Sequence, residues 1–162
     1  MPLIPSTLQQ ALSAAFKSHP DSPRVAAQKF AKAYADYAQT AMALSSRPLF
    51  TGLEAKLLEV TLYSAIANPK VGTPATLAAA WATGVASFWM APPVVFTGGQ
   101  VGAVLQAATV IPIITPGLTA CFANLANTED LAAMTMATIL DAATRTVMVA
   151  LAPPPGTTAP LL

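Results

Sequence analysis

The stretch TPATLAAAWATGVASFWMAPPVVFTGGQ, residues 73–100, decides the fold class of this chain. Its first two residues form a helix start, because a threonine can cap the first turn and a proline suits the first helical position. Large apolar residues then recur at helical spacing, at Leu77, Trp81, Val85 and Phe88. The pattern predicts a helix that ends at Pro92-Pro93 and leads into a loop rich in proline and glycine around residues 91–100.

Within that loop, Val94 to Phe96 is a short β-like run, and Gly98-Gly99 supplies the backbone freedom of a turn. The segment from Thr97 to Gln100 superficially resembles a phosphate-binding loop. It lacks the lysine and the glycine spacing of such loops, so a tight turn is the preferred interpretation.

Helix signals continue towards the N-terminus. Ser6 is the expected cap of a first helix and Ser22-Pro23 of a second, and Thr51-Gly52-Leu53-Glu54 has the pattern of a capping box. The off-stripe positions of these helices are expected to face solvent or an interface rim; they are Lys29, Lys32, Asp36, Lys56 and Glu59.

Towards the C-terminus the pattern is less regular. Residues 100–110 can be helical, Pro112 and Pro116 are expected to interrupt the helix, and Thr128 caps a last helix that should run to about Leu151. The resulting prediction is an all-α, compact bundle of about five to six helices. We expect one helical domain over residues 1–151 and a proline-rich extended tail over residues 152–162. The domain comprises an amphipathic half (1–70), a charge-free part (71–128) and the last helix (128–151).

The amino-acid composition excludes some classes of protein. The chain has 162 residues, 54% of them apolar and only 9% charged, with a net charge of +1. High apolarity excludes a disordered chain, and the charge balance gives no electrostatic footprint for sequence-specific nucleic acid binding.

No pattern indicates an enzyme. The chain has one cysteine, Cys121, and one histidine, His19, so an internal disulfide and a cysteine-based zinc site are excluded. His19 is interpreted as a solvated loop residue and Cys121 as a buried thiol that packs like a small apolar side chain. We expect no catalytic residues, no cofactor and no metal.

The charges are unevenly distributed, and none lies within residues 71–128. A segment of that length should need cover from lipid, from copies of the chain or from other proteins. Membrane insertion is the less favoured explanation, since prolines and charges interrupt the candidate spans. We therefore expect residues 71–128 and the tail to form the main contacts between subunits. The predicted interface residues are Trp89, Phe96, Pro153, Pro154 and Pro155.

Two segments carry a resemblance. LAAAWATGVASFWMAPPVVFTGGQVGAV, residues 77–104, and PGLTACFANLANTEDLAAMTMATILDAATRTVMV, residues 116–149, resemble small α-helical virion structural proteins of tailed bacteriophages. The resemblance implies a neck, tail or baseplate component that assembles in the host cytoplasm with copies of itself and other virion proteins, without catalysis. Two alternatives stay open: a small integral membrane protein with two or three spans, and a soluble bacterial homo-oligomeric bundle.

Overall fold

The computed structural model describes residues 3–43, 46–68, 72–91, 94–124, 126–152 and 158–160. It contains six α-helices, one 3-10 helix and five short strands within these ranges. The helices are α1 (Pro5–Lys17), α2 (Pro23–Ala38), α3 (Leu53–Ile66), α4 (Pro74–Met90), α5 (Ile111–Ala123) and α6 (Glu129–Thr144), with the 3-10 turn at Ala107–Val110. The strands are β1 (Pro48–Leu49), β2 (Val94–Phe96), β3 (Val101–Val104), β4 (Met148–Ala152) and β5 (Thr158–Pro160).

The six helices pack as a closed ring. Each helix contacts the next along the chain, and α1 packs against α6, which brings the two ends of the helical region together. Short connections explain the pairs α1–α2, α3–α4 and α5–α6, because sequential helices joined by few residues pack as neighbours. Longer segments that contain strands join α2 to α3 and α4 to α5.

Helix α4 shows how the chain covers much of its own charge-free segment. It packs against α3 on one side and α5 on the other, and both Trp81 and Trp89 are buried on it. Gly84 permits the approach of α3, because a Cβ atom at that position would lie 2.5 Å from Leu58 Cδ1. Packing within the chain therefore buries part of the apolar surface of residues 71–128, which was expected to need cover from another molecule.

The strands form one antiparallel sheet in the order β1-β2-β3-β4-β5. Strands β2 and β3 make a hairpin through Thr97–Gln100, where Gly98 and Gly99 have φ angles of 93° and 77°. The tight turn predicted there is confirmed, as is the short strand at Val94–Phe96. The two edge strands each contain a proline, Pro48 and Pro160, which is the usual position for proline in a sheet.

The all-α prediction is correct for the helical core and wrong for the sheet. The last helix was expected to reach Leu151, but α6 ends at Thr144 and residues 148–152 form β4. β-branched and small residues such as Val149 and Ala150 fit a half-buried strand, and pairing with β3 completes their backbone hydrogen bonds. Residues 101–104 form β3 instead of a helix for the same reason.

Three helix starts follow the sequence closely, at α2, α4 and α6. Ser22, Thr73 and Thr128 each accept a hydrogen bond from the backbone of the first turn, as predicted. Helix α1 instead begins at Pro5 without a side-chain cap. Helix α5 begins at Ile111 and continues through Pro116, where we expected a break.

The capping box at α3 forms in a shifted version, in which the Thr51 hydroxyl accepts from the Leu53 backbone N–H at 3.4 Å. Gly52 is the N-cap residue in a left-handed conformation, and the buried Glu54 carboxylate accepts hydrogen bonds from the Thr51 and Gly52 backbone N–H groups.

The tail falls partly outside the described residues. Thr158–Pro160 are extended and pair with β4, which is consistent with the extended tail predicted from the prolines. Pro153, Pro154 and Pro155 lie outside the described ranges. None of the helices described in the structure has both the length and the apolarity to cross a membrane.

Candidate functional site

The structure places two predicted interface residues inside the protein. Trp89 and Phe96 are each wholly buried within their own chain. Trp89 packs against Phe50 and Phe88, with ring centroids 5.5 and 5.4 Å apart. Burial removes the physical basis for assigning either side chain to contact with a partner, because neither reaches the surface.

Trp89 instead starts a buried chain of hydrogen bonds. Its indole Nε1–H donates to the Tyr34 hydroxyl over 2.9 Å, and that hydroxyl lies 2.8 Å from Thr144 Oγ1. Thr144 donates its only hydroxyl hydrogen to the Leu140 carbonyl at 2.7 Å, so Tyr34 must be the donor to Thr144. The chain links α4, α2 and α6, and burial raises the pKa of Tyr34 so that its proton stays bound.

A second polar cluster lies one turn along α2. Tyr37 donates to Asp141 Oδ1 at 2.6 Å, and Arg145 Nε donates to Asp141 Oδ2 at 2.8 Å. Arg145 also reaches the Leu3 carbonyl, 3.2 Å away. Burial and the hydrogen bond to Asp141 raise the pKa of Tyr37. One carboxylate therefore connects α2, the end of α6 and the segment that precedes α1.

The exposed ionic groups where α1 meets α6 fit a structural role. Lys17 Nζ lies 2.7 Å from Asp130 Oδ1, Ser13 donates to the same carboxylate, and His19 Nδ1 lies 3.7 Å from Glu129. Basic groups at a helix C-terminus and acidic groups at an N-terminus both match the helix dipole. Within the described ranges, no group of three or more histidine, cysteine, aspartate or glutamate side chains could hold a metal ion.

The single thiol is also internal. Cys121 is buried, and its Sγ lies 3.9 Å from the Ala132 carbonyl oxygen, so it packs between α5 and α6. Burial raises the pKa of this thiol, which disfavours the reactive thiolate.

The most distinctive surface is one side of the sheet. The strand register places Leu49, Val95 and Val101 side by side across β1, β2 and β3. These side chains are 51%, 38% and 46% exposed, and Ala103 beside them is also exposed. We call these four residues the outer sheet face. All strand residues are uncharged.

The opposite side of the same strands is internal. Val94, Phe96, Gly102 and Val149 are buried against the helices. Alternation along a strand normally puts polar residues on the side that faces water. Here both sides are apolar, so the outer sheet face has the character of a surface that another molecule covers.

Two further apolar side chains are exposed near the sheet. Met90, at the end of α4, is 69% exposed, and Leu105 follows β3 directly and is 54% exposed. A groove of about 240 Å³ lies between the end of α4 and the sheet, and it is lined by Met90 and Ala103 and also by Val94 and Gly102 of the inner side. A second groove, of about 360 Å³, borders β1 and is lined in part by Pro48, Leu49 and Phe50.

All of these exposed apolar residues except Leu49 lie within residues 71–128, the segment expected to form the main contacts, but none of them was singled out from the sequence. Alternation in Val94-Val95-Phe96 and Val101-Gly102-Ala103-Val104 is the signal that separates their two sides, and it becomes readable once both runs are assigned as strands. The prediction that five charged residues of α2 and α3 face solvent or an interface rim agrees with the structure. Lys29, Lys32, Asp36 and Lys56 are exposed, and Glu59 is half-buried. Comparison of the chain with protein-family models, curated proteins and solved structures finds no match.

Proposed function

We propose that this protein is a non-enzymatic structural subunit of a larger particle, working through protein–protein contacts made by the outer sheet face. The observation that carries the proposal is the row of Leu49, Val95 and Val101, three exposed apolar side chains in register on a sheet without charge. The particle class we propose is the tailed-phage virion, on the resemblance of residues 77–104 and 116–149 described above.

Burial of the outer sheet face against a partner is favourable in free energy. Removing apolar surface from water contributes about 25 cal/mol per Å². Buried interface cores are apolar and depleted in charge, as this surface is. A partner that packs against the row needs to desolvate no charged side chain of the strands, since none is present.

The buried polar groups support a scaffold role. No buried side-chain nitrogen or oxygen among the described residues lacks a hydrogen-bond partner. The Trp89–Tyr34–Thr144 chain ties three helices together in one arrangement. A rigid body that carries an apolar surface loses little conformational freedom when it joins an assembly.

The test is incorporation into particles. Native particles are sedimented from a lysate of the source culture, and the chain is quantified in each fraction by mass spectrometry. We expect the wild-type chain in the particle fraction at fixed stoichiometry, located by electron microscopy. Val101→Glu should leave it in the slowly sedimenting fraction while its circular dichroism stays unchanged.

The matched control is Leu131→Glu, which adds the same charge at a similarly exposed position on α6. We expect this variant to enter particles normally. Wild-type chain that sediments only as free protein, or Val101→Glu that enters particles as efficiently as Leu131→Glu, would overturn the proposal.

A further inference from the structure

A second apolar surface lies on α3, apart from the sheet. Leu53, Leu57 and Val60 are 47%, 36% and 56% exposed, and Ser64 continues the same line. We call these four residues the α3 stripe. The core-facing side of the helix is separate and carries Glu54, Leu58, Leu62 and Ala65. The helix therefore buries one side inside the chain and leaves a second apolar side without cover.

The spacing of the α3 stripe is symmetric. Its residues are four, three and four positions apart, so the pattern reads the same in both directions about a midpoint between Leu58 and Glu59. A second copy of the helix, packed antiparallel, places each Leu57 against the other copy's Val60 and each Leu53 against the other copy's Ser64. A two-fold contact requires such a self-complementary surface.

The border of the stripe is also self-complementary in charge. Lys56 and Tyr63 are exposed along one border. The Glu59 side chain between them is 13% exposed, and its Oε1 accepts from Lys56 Nζ at 2.7 Å and from Gln28 of α2 at 3.3 Å within the chain. In the antiparallel pair, Lys56 is level with the space between the second copy's Glu59 and Tyr63. A carboxylate and an aromatic ring both attract an ammonium group.

The polar groups on and beside the stripe do not oppose packing. The Ser64 hydroxyl donates to the Thr61 carbonyl at 2.8 Å, and the Thr61 hydroxyl donates to the Leu57 carbonyl at 2.9 Å. Both donors are therefore satisfied inside the helix, and covering them leaves no hydrogen unpaired.

From these observations we infer that α3 is a homotypic interface, at which two copies of this chain pack antiparallel about a two-fold axis through the α3 stripe. This contact is separate from the outer sheet face and does not depend on the virion assignment. One helix of 14 residues from each copy makes a contact smaller than the about 1,200 Å² of a standard stable complex. The isolated chain should therefore be in a concentration-dependent monomer–dimer equilibrium.

The experiment is sedimentation equilibrium of the purified full chain across a wide range of concentrations. We expect the wild type to fit a monomer–dimer equilibrium. Val60→Glu should weaken the dimer at least about tenfold, because the two-fold axis brings both new charges into one contact. Met134→Glu, a similarly exposed site on α6, should dimerise like the wild type. Lys56→Glu is the second variant and should also weaken the dimer, since it faces the second copy's Glu59.

Cross-linking tests the antiparallel direction. A mixture of Leu57→Cys and Val60→Cys chains should oxidise to the mixed disulfide dimer faster than Leu57→Cys chains alone. A parallel pair would instead link Leu57→Cys chains to each other, and that result would overturn the arrangement. A wild type that stays monomeric, or a dimer unaffected by Val60→Glu, would overturn the inference. Neither outcome bears on Val101→Glu and particle incorporation, so the two proposals fail separately.

Discussion

The Trp89 indole donates a 2.9 Å hydrogen bond to the Tyr34 hydroxyl, and both side chains are completely buried. The bond joins the C-terminal end of α4 to the C-terminal half of α2, two helices that are not consecutive in the ring. In this bond the Tyr34 hydroxyl oxygen is the acceptor, so its hydrogen remains available to donate to Thr144 Oγ1. The stability of the helical core should depend on this chain.

Thr144→Val tests that dependence. Valine fills almost the same volume, but it removes the acceptor for the Tyr34 hydroxyl and leaves a buried donor unpaired. We expect a loss of about 1–3 kcal/mol in the free energy of unfolding, measured by urea denaturation. Thr138→Val is the matched control, because Thr138 also donates to the carbonyl four residues earlier but is exposed. Equal losses in the two variants would show that the buried chain contributes nothing of its own.

Asp141 should matter more than a comparable surface carboxylate. It accepts from Tyr37 and from Arg145 and is largely buried. Asp36 also forms an ion pair with a residue four positions away, Lys32, but this pair lies on the surface. We expect Asp141→Asn to cost about 1–3 kcal/mol and Asp36→Asn less than about 1 kcal/mol in urea denaturation. The reverse order would contradict this ranking.

Alkaline pH should destabilise the protein through its buried tyrosines. The folded-state pKa of Tyr37 is raised by burial and by the hydrogen bond to Asp141, so the folded chain keeps a proton that the unfolded chain releases above about pH 10. The resulting stability is fully present below that pH and declines above it. We expect Tyr37→Phe to lose less unfolding free energy than the wild type between about pH 8 and pH 11. Identical losses would show that Tyr37 is not responsible.

Acid should weaken the junction between α1 and α6. Hydrogen bonds from Lys17 and Ser13 lower the pKa of Asp130 below its usual range. A lowered pKa stabilises the folded state above the unfolded pKa, and this contribution is lost as pH falls through the folded pKa. Melting temperatures recorded from neutral to acid pH should therefore fall less for Asp130→Asn than for the wild type. High salt should reduce the difference, because both partners are exposed.

Local signals in the sequence predicted the helices well and the sheet poorly. Caps at Ser22, Thr73 and Thr128 are properties of a few neighbouring residues, so they can be recognised without the rest of the fold. The pairing of β3 with β4 joins segments more than forty residues apart. Periodicity along one segment contains no information about such a partner, and apolar runs at 101–104 and 147–152 fit a helix equally well in isolation.

Trp89 was assigned to an interface for a related reason. Trp89 is not part of the apolar line of Leu77, Trp81, Val85 and Phe88 on its helix, and it was predicted to be an interface residue. Trp89 instead donates to Tyr34 of α2 and packs against Phe50, which lies between β1 and α3. A charge at this buried position should unfold the protein. Whether an off-line residue faces solvent or a second helix depends on tertiary packing, which the sequence of α4 alone does not specify.

Gly102 should be required for the seam between the sheet and the helices. A Cβ atom at this position would lie 2.4 Å from Phe96 Cε2 and 2.8 Å from Val149 Cγ1. Both neighbours are completely buried, so a shift of the Phe96 ring or the Val149 methyl group must displace other core side chains. We expect Gly102→Ala to lower the free energy of unfolding by about 1–3 kcal/mol through overpacking.

The control for Gly102→Ala is Gly72→Ala, ahead of α4, where the nearest atom to an added Cβ is the Asn68 carbonyl oxygen at 3.6 Å. That distance is an ordinary contact, so Gly72→Ala should change stability by less than about 0.5 kcal/mol. Urea denaturation followed by tryptophan fluorescence measures both variants, since Trp89 packs close to this seam. If Gly102→Ala proves as stable as Gly72→Ala, Phe96 does not close over β3 as described, and the inner side of the sheet has room that the structure does not show.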